Sequence, residues 1–267
     1  MPILSMDTSS QVSSVAVLAR GRLAAEITMQ ARLTHSETLM PHVAQALEMA
    51  GTAKEELTGI AVSIGPGSFT GLRIGLAAAK AMSYALRVPL VGVSSLEALA
   101  LHYMVPHVTL FPLMDAQKKN AYVEELHWEA GAAGLMLAVD APVAVRPLEE
   151  IVARARELAA SGRTVVLLGD IVQKRLAGKE DLPAGVLIPP PQLLLPRAAH
   201  VAWLGAQRLA AGEEDNVMDL EPIYLRRSEA EVLFEKHHPE RAALAPDAAA
   251  ARALEAHEQH GTREVSR

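Results

Sequence analysis

Gly65-Pro-Gly-Ser-Phe-Thr-Gly71 is the most informative stretch of this chain, because it places three glycines and a proline between a strand-like and a helix-like segment. Residues 59–64 form a short apolar run that predicts a buried strand, and residues 72–86 predict a helix. The stretch is not a Walker A loop, since Leu72 follows its last glycine where that loop has lysine, and it misses the Rossmann spacing by one residue. It therefore predicts a tight turn with close backbone packing, and an anion held at the helix N-terminus is the alternative.

The segments before this turn predict a meander of three strands. Strand-like runs cover residues 3–7, 12–18 and 23–29, with polar or glycine-containing turns between them. Thr34 and Glu37 have the spacing of a capping box, which predicts a helix that ends at Gly51. Beyond the glycine stretch, residues 90–93 predict another short strand and residues 94–103 a further helix.

The second half of the chain repeats this order. Strand-like runs cover residues 108–115, 121–128, 135–139 and 164–168, with a helix over residues 147–161 before the last of them. Asp7 corresponds to Asp115 and Gly65 to Gly169, at offsets of 115 − 7 = 108 and 169 − 65 = 104 residues. A repeat this long predicts two similar lobes rather than a solenoid. We therefore predict an α/β fold whose two lobes contain duplicated mixed sheets.

The predicted boundaries follow from this repeat. The N-terminal lobe covers residues 1–105 and the C-terminal lobe residues 106–235. A helix at about 197–212, after a proline-rich connector, is positioned to pack back on the N-terminal lobe. Residues 236–267 offer little to bury, so we expect a flexible tail there.

The composition argues against several functional classes. The chain of 267 residues is 50% hydrophobic but only 3% aromatic, and its formal net charge is −6. A single-strand nucleic-acid binder needs aromatic stacking platforms and a basic groove. With no cysteine in the sequence there is no disulfide or thiolate site, and the histidines lack the spacing of a metal site. The sequence contains no recognisable signal peptide or membrane span, so a cytoplasmic location is expected.

The helix after the glycine stretch is almost entirely apolar or small. Its polar residues form one narrow stripe of Arg73, Lys80, Tyr84 and Arg87. A ridge of mostly small residues, spaced so that another helix can approach closely, contains Gly71, Gly75, Ala78 and Met82. Because a surface helix normally has one polar side, this helix needs cover on two sides. The second cover is either another layer of the same chain or a partner subunit.

Asp7 and Asp115 each end a first strand ahead of a polar turn, as do the aspartates of two-lobed nucleotide-binding folds. The phosphate-binding hairpins of those folds usually have glycine after the aspartate, whereas Thr8-Ser-Ser10 and Ala116-Gln-Lys118 follow here. One interpretation is that each aspartate caps its own turn. The other is a weak nucleotide site, whose residues would be Asp7, Thr8, Ser9, Asp115 and Gly169.

Six segments stand in a recognisable order: Asp7-Thr-Ser9, His35 with Leu39-Met-Pro41, Gly65-Pro-Gly-Ser-Phe-Thr-Gly-Leu-Arg-Ile-Gly75, Ser94-Ser-Leu96, Met114-Asp-Ala116 and Pro222-Ile-Tyr-Leu-Arg226. Over about residues 1–230 the chain resembles the TsaB (YeaZ) family, bacterial proteins of tRNA threonylcarbamoyladenosine biosynthesis. The resemblance implies an actin/Hsp70/hexokinase-like (ribonuclease H-like) fold of two lobes, in agreement with the repeat. Gln117 departs from the family pattern, which usually has arginine at that position.

The resemblance also implies a non-catalytic role. Members of the family pair with the catalytic subunit TsaD through their first two helices, and with the ATPase TsaE this dimer transfers a threonylcarbamoyl group onto the adenosine beside the anticodon. The implied partner contacts are His35, Leu39, Met40, Val43, Gly71, Leu72, Gly75, Ala78 and Met82. The resemblance further implies no resident cofactor beyond a weak adenine nucleotide at the complex interface, and tRNA contact only through the complex. The residues themselves predict no membrane association, and the apolar helix surface leaves a homodimer open when the chain is alone.

Two other functions remain open from the residues alone. An ATPase or sugar-kinase-like phosphotransferase would use Asp7 and Asp115 around a magnesium nucleotide. A peptidase is the weaker alternative, since the sequence contains neither a Gly-x-Ser-x-Gly nucleophile motif nor a His-x-x-x-His metal pair.

Overall fold

The computed structural model describes residues 1–30, 35–131, 134–178 and 182–225. The predicted capping residue Thr34, the end of the last family segment at Arg226 and the predicted tail 236–267 lie outside the described residues. Among the helices of these ranges, none combines the length and the hydropathy needed to cross a membrane.

The first lobe contains a five-stranded mixed sheet. Its strands are β1 (Ile3–Asp7), β2 (Val12–Ala19), β3 (Arg22–Gln30), β4 (Gly59–Gly65) and β5 (Leu90–Ser94), in the order β3-β2-β1-β4-β5. β1 pairs antiparallel with β2 and parallel with β4, and β4 pairs parallel with β5. Three helices belong to this lobe, α1 (His35–Ala50), α2 (Phe69–Leu86) and α3 (Ser95–Ala100).

The second lobe repeats this topology. Its strands are β6 (Val108–Asp115), β7 (Asn120–Gly131), β8 (Gly134–Pro147), β9 (Thr164–Leu168) and β10 (Val186–Leu187), in the order β10-β9-β6-β7-β8. The helices α4 (Leu148–Ala160) and α5 (Asp170–Arg175) stand where α1 and α2 stand in the first lobe. As in the first sheet, the first strand pairs antiparallel with the second and parallel with the fourth. The predicted two-lobed α/β fold with duplicated mixed sheets is therefore confirmed.

Strand β8 is longer than the predicted run over residues 135–139. It pairs with β7 from Gly134, opposite Gly131, to Pro147, opposite Asn120. Its residues alternate little between apolar and polar character, so their sequence pattern marks only the middle of the strand. Hydrogen bonding to β7 extends the strand at both ends of the predicted run.

The last helix, α6 (Ala198–Ala210), packs on the first sheet, on the face opposite α1 and α2. The Ser5 hydroxyl donates to the Ala198 carbonyl at 2.7 Å, and the Ala198 amide donates to the Ser14 hydroxyl at 2.8 Å. The chain thus returns from the second lobe to complete the first, whose sheet is covered on both faces.

After α6, residues 213–225 run back over the first lobe, and we call this segment the strap. The Asp215 amide donates to the Leu90 carbonyl at 2.8 Å, and the Gly92 amide donates to the Asp215 carboxylate at 2.7 Å. Arg208 of α6 holds the same carboxylate through hydrogen bonds of 3.2 Å. Further along, the Ile223 amide donates to the Ile64 carbonyl at 2.8 Å. The strap is therefore fixed to the edge strand β5 near one end and to β4 near the other.

Candidate functional site

The glycine stretch between β4 and α2 packs directly on the turn between β1 and β2. A Cβ atom at Gly67 would lie less than 3.0 Å from the Ser9 carbonyl oxygen, and one at Gly71 equally close to the Thr8 carbonyl oxygen. Real Cβ atoms do not approach other atoms so closely. Only glycine therefore permits this contact between two backbone segments, which confirms the tight-turn interpretation.

The N-terminal amides of α2 are directed toward groups of the protein itself. The Ser68 amide donates to the Ser9 carbonyl at 2.6 Å. Ser68 is the N-cap residue, and its hydroxyl accepts from the Gly71 amide at 3.2 Å. The β1–β2 turn thus packs against the N-terminus of α2, and at least two amides there are bonded within the protein.

Asp7 is fully buried at the end of β1 and caps its own turn. Its Oδ1 accepts from the Ser9 amide at 2.9 Å and from the Ser9 hydroxyl at 2.7 Å. Burial raises the pKa of the Asp7 carboxyl, and the hydrogen bonds from Ser9 oppose this shift only in part.

The corresponding residues of the second lobe also have local structural roles. The Asp115 carboxylate accepts from the Gln117 amide at 2.8 Å and so caps the β6–β7 turn. Gly169 has φ +108°, and a Cβ atom there would lie less than 3.0 Å from the Leu113 carbonyl oxygen of β6. Thr8 and Ser9 thus meet the glycine stretch, whereas Asp115 ends β6 in the other lobe and Gly169 packs against that strand.

Several residues predicted to contact a partner lie inside the first lobe. The side chains of Leu39, Val43 and Leu72 are 1%, 2% and 1% exposed. Leu39 and Val43 belong to the core between the first sheet and its helices. Gly71 and Gly75 are buried against Thr8, whose hydroxyl donates to the Gly71 carbonyl at 2.8 Å.

The other predicted contact residues reach the surface. Met40 is 48% exposed on α1, and Ala78 and Met82 are half-buried on α2. His35 is also half-buried, and its Nε2 lies 2.8 Å from the Ser10 carbonyl oxygen, beside the β1–β2 turn. Only part of the predicted set therefore remains accessible to a second protein.

The strap covers one flank of α2, so another layer of the same chain, the first of the two alternatives for the second cover, is present on that flank. Lys80 donates to the Met218 carbonyl at 3.1 Å, and Arg73 donates to the Tyr224 hydroxyl at 2.8 Å. Val217 and Leu220 pack against the same core cluster as α2. The second cover that the sequence required is thus supplied in part by the chain itself.

What remains uncovered is the side of α2 that points away from the sheet, which we call the outer face. Its exposed residues are Thr70, Arg73, Ala77, Ala81, Tyr84 and Ala85. Tyr84 is 78% exposed, and no residue of α2 is acidic. A helix side that faces water normally carries charges of both signs, so an outer face of alanines beside a tyrosine is unusual. The ridge of small residues predicted from the sequence begins with Gly71 and Gly75, which are buried. The outer face is a different side of the helix.

Comparison with known proteins agrees with this architecture. The family model described as TsaD, tRNA N6-adenosine threonylcarbamoyltransferase, matches residues 27–234. The tRNA threonylcarbamoyladenosine biosynthesis protein TsaB of Bacillus subtilis is 30% identical over 86% of this chain and 96% of its own length, and that of Escherichia coli is 28% identical over 86% and 96%. The structure of YeaZ from Pseudomonas aeruginosa superposes with a TM-score of 0.65 at 25% identity, covering 84% of this chain and 99% of that one.

These matches define the class first: a two-lobed protein of tRNA threonylcarbamoyladenosine biosynthesis, within the family that the TsaD model describes. Inside that class, the chain belongs to the TsaB (YeaZ) family, since the likeness to TsaB extends over nearly the full length of the relatives.

Proposed function

We propose that this chain is a non-catalytic scaffold subunit, required for formation of N6-threonylcarbamoyladenosine next to the anticodon, that forms a heterodimer with a TsaD-like catalytic subunit. The observation that supports this proposal most directly is the outer face of α2. Its alanines at 77, 81 and 85 are exposed, and Met40 of the neighbouring α1 is also open to solvent. Small residues let a partner helix approach closely, and burying such a surface is favourable.

The other partners follow from the same proposal. A TsaE-like ATPase would act on the heterodimer, and tRNA would be held through the complex, since the chain carries a net charge of −6. The chain would need no resident cofactor, and any adenine nucleotide would be held weakly at the complex interface. Without its partner, the same outer face would pair with a second copy of the chain. The cytoplasm, where tRNA is modified, is the proposed location.

A phosphotransferase built on Asp7 and Asp115 receives less support. The buried carboxyl of Asp7 caps its own turn, and Asp115 does the same in the second lobe. The amide of Ser68, at the start of α2, is bonded to the Ser9 carbonyl. One oxygen of each aspartate and the Ser68 amide are therefore already bonded within the fold.

Introducing a charge on the outer face tests the proposal. Ala77→Glu and Ala81→Glu are each expected to weaken binding to the purified TsaD-like subunit by about 100-fold or more, because an unpaired carboxylate would be buried in the interface. Both positions are exposed on a helix, where glutamate is well tolerated, so the isolated variants should fold normally. Isothermal titration calorimetry measures the affinity, and circular dichroism the folding.

Ala153→Glu is the matched control, because Ala153 is an exposed alanine on α4 of the other lobe. It should bind the partner like the unmodified chain. Unchanged affinity in both Ala77→Glu and Ala81→Glu would refute the proposed surface. Gly75→Glu is unsuitable as a test, since a Cβ atom there would lie less than 3.0 Å from the Thr8 hydroxyl oxygen and disturb the fold itself.

A further inference from the structure

Arg73 stands on the outer face of α2 and is held in place by two aromatic side chains. The centre of its guanidinium lies 3.8 Å from the centroid of the Phe69 ring, one helical turn earlier. Its Nε donates to the Tyr224 hydroxyl of the strap at 2.8 Å, and the Phe69 and Tyr224 rings lie 4.9 Å apart. An exposed arginine normally samples many rotamers. The Arg73 guanidinium is instead held at one edge by the Tyr224 hydroxyl and on one face by the Phe69 ring.

The opposite edge of the guanidinium is available. Across the ranges that the structure describes, no acidic side chain lies within ion-pair distance of Arg73, and its bond to Tyr224 uses Nε alone. The Nη groups present a planar pair of donors, which matches the two oxygens of a carboxylate. Because α2 contains no Asp or Glu, the charge on its outer face is positive, and the complementary surface is acidic.

We infer that Arg73 is the polar anchor of the heterodimer interface and that it binds a carboxylate side chain of the catalytic subunit. This inference rests on the proposed function, since it names the chemistry that the partner must present beside the outer face. Preorganised arginines at the edge of an apolar patch are typical interface hot spots, because their rotamer freedom is lost before binding rather than during it. Phe69 and Tyr224 act as positioning residues for the guanidinium.

The test measures the affinity of Arg73 variants for the purified TsaD-like subunit in the absence of tRNA. Arg73→Gln is expected to weaken binding about 10- to 100-fold. Arg73→Lys keeps the charge but loses the planar pair of Nη donors, so its affinity should lie between those of Arg73→Gln and the unmodified chain. Raising the NaCl concentration from 0.1 to 0.5 M should lower the affinity of the unmodified chain more than that of Arg73→Gln. Salt screens the charge pair, which only the unmodified chain makes.

Arg22→Gln is the matched control, an exposed arginine at the start of β3, and it should leave the affinity unchanged. Tyr224→Phe keeps the ring and removes the bonded hydroxyl, so it should change the affinity less than about threefold. If Tyr224→Phe weakens binding more than Arg73→Gln does, the strap itself and not the guanidinium makes the decisive contact, and the inference is wrong.

Two further outcomes would overturn the inference in distinguishable ways. Arg73→Gln could bind the catalytic subunit normally and lose affinity only when tRNA is added, in which case the ligand is a phosphate. If Arg73→Gln binds normally and Ala77→Glu does not bind, Arg73 is not the polar anchor, but the proposed heterodimer still holds. If Ala77→Glu and Ala81→Glu also bind normally, the proposed function itself has failed.

Discussion

Gly71→Ala is expected to destabilise the isolated chain by about 3 kcal/mol or more, well beyond the usual cost of replacing a helical glycine. The added Cβ would come within 3.0 Å of the Thr8 carbonyl oxygen, which is a backbone atom and cannot swing away. The two segments are also tied by hydrogen bonds, from the Thr8 hydroxyl to the Gly71 carbonyl and from the Ser68 amide to the Ser9 carbonyl. Relief of the clash must therefore separate α2 from the β1–β2 turn.

Urea unfolding of the purified chain, with no partner present, measures this effect. Gly51→Ala is the matched control: it lies just past α1, has φ +60° and has no atom within 4 Å of its added Cβ. It should cost only about 1 kcal/mol, the strain of a left-handed alanine. Equal stability of the two variants would contradict the close packing of Gly71 on the Thr8 carbonyl. The experiment also separates two roles, because a residue that served only to contact a partner would not change the stability of the isolated chain.

The strands and helices of the first lobe could be predicted from the sequence because their signals are local. The run 3–7 is β1 to the residue, and the glycine at position 51 stops α1 where expected. The duplication was equally visible, since Asp7 and Asp115, and likewise Gly65 and Gly169, occupy equivalent positions in two sheets of the same strand order. The spacing of the apolar residues and the positions of the turn residues were sufficient to predict these elements.

The surface of α2 could not be predicted in the same way. Helical periodicity shows which residues share a side, but not which side a distant segment covers. Lys80 meets the Met218 carbonyl across 138 residues of sequence, and nothing in either segment indicates that contact. The small residues Gly71 and Gly75 therefore suggested a partner helix, whereas their actual neighbour is Thr8. Ala77 and Ala81 are exposed in the structure, but nothing in the sequence indicated that these alanines face solvent.

Glu124 is another residue that the sequence did not single out, and its titration predicts a strong pH dependence of stability. Its side chain on β7 is 1% exposed. Burial raises the pKa of its carboxyl to about 8, and the nearby charge of Glu97 on α3 adds to the shift. In the strand pattern Glu124 follows Val123 and precedes Glu125, both also buried, so no alternation marks it as an interior acid.

The stability of the unmodified chain should therefore fall as the pH rises from about 5 to 8. In the unfolded chain the carboxyl loses its proton near the ordinary value of 4.5, whereas the folded chain keeps it until about pH 8. The contribution of this group is complete below pH 4.5 and is lost as the pH rises toward 8, at up to about 1.4 kcal/mol per pH unit. Glu124→Gln removes this dependence, so relative to the unmodified chain it should be stabilising by a few kcal/mol at pH 8 (an order-of-magnitude figure) and nearly neutral at pH 5.

Urea unfolding at pH 5, 6.5 and 8 checks the prediction, with Glu48→Gln as the control because Glu48 is exposed on α1. The control should shift stability by the same small amount at every pH. Parallel curves for Glu124→Gln and the unmodified chain would mean that Glu124 is ionised in the folded chain at neutral pH. Such a result would also remove the reason to expect a protonated carboxyl beside Glu97, between α3 of the first lobe and β7 of the second.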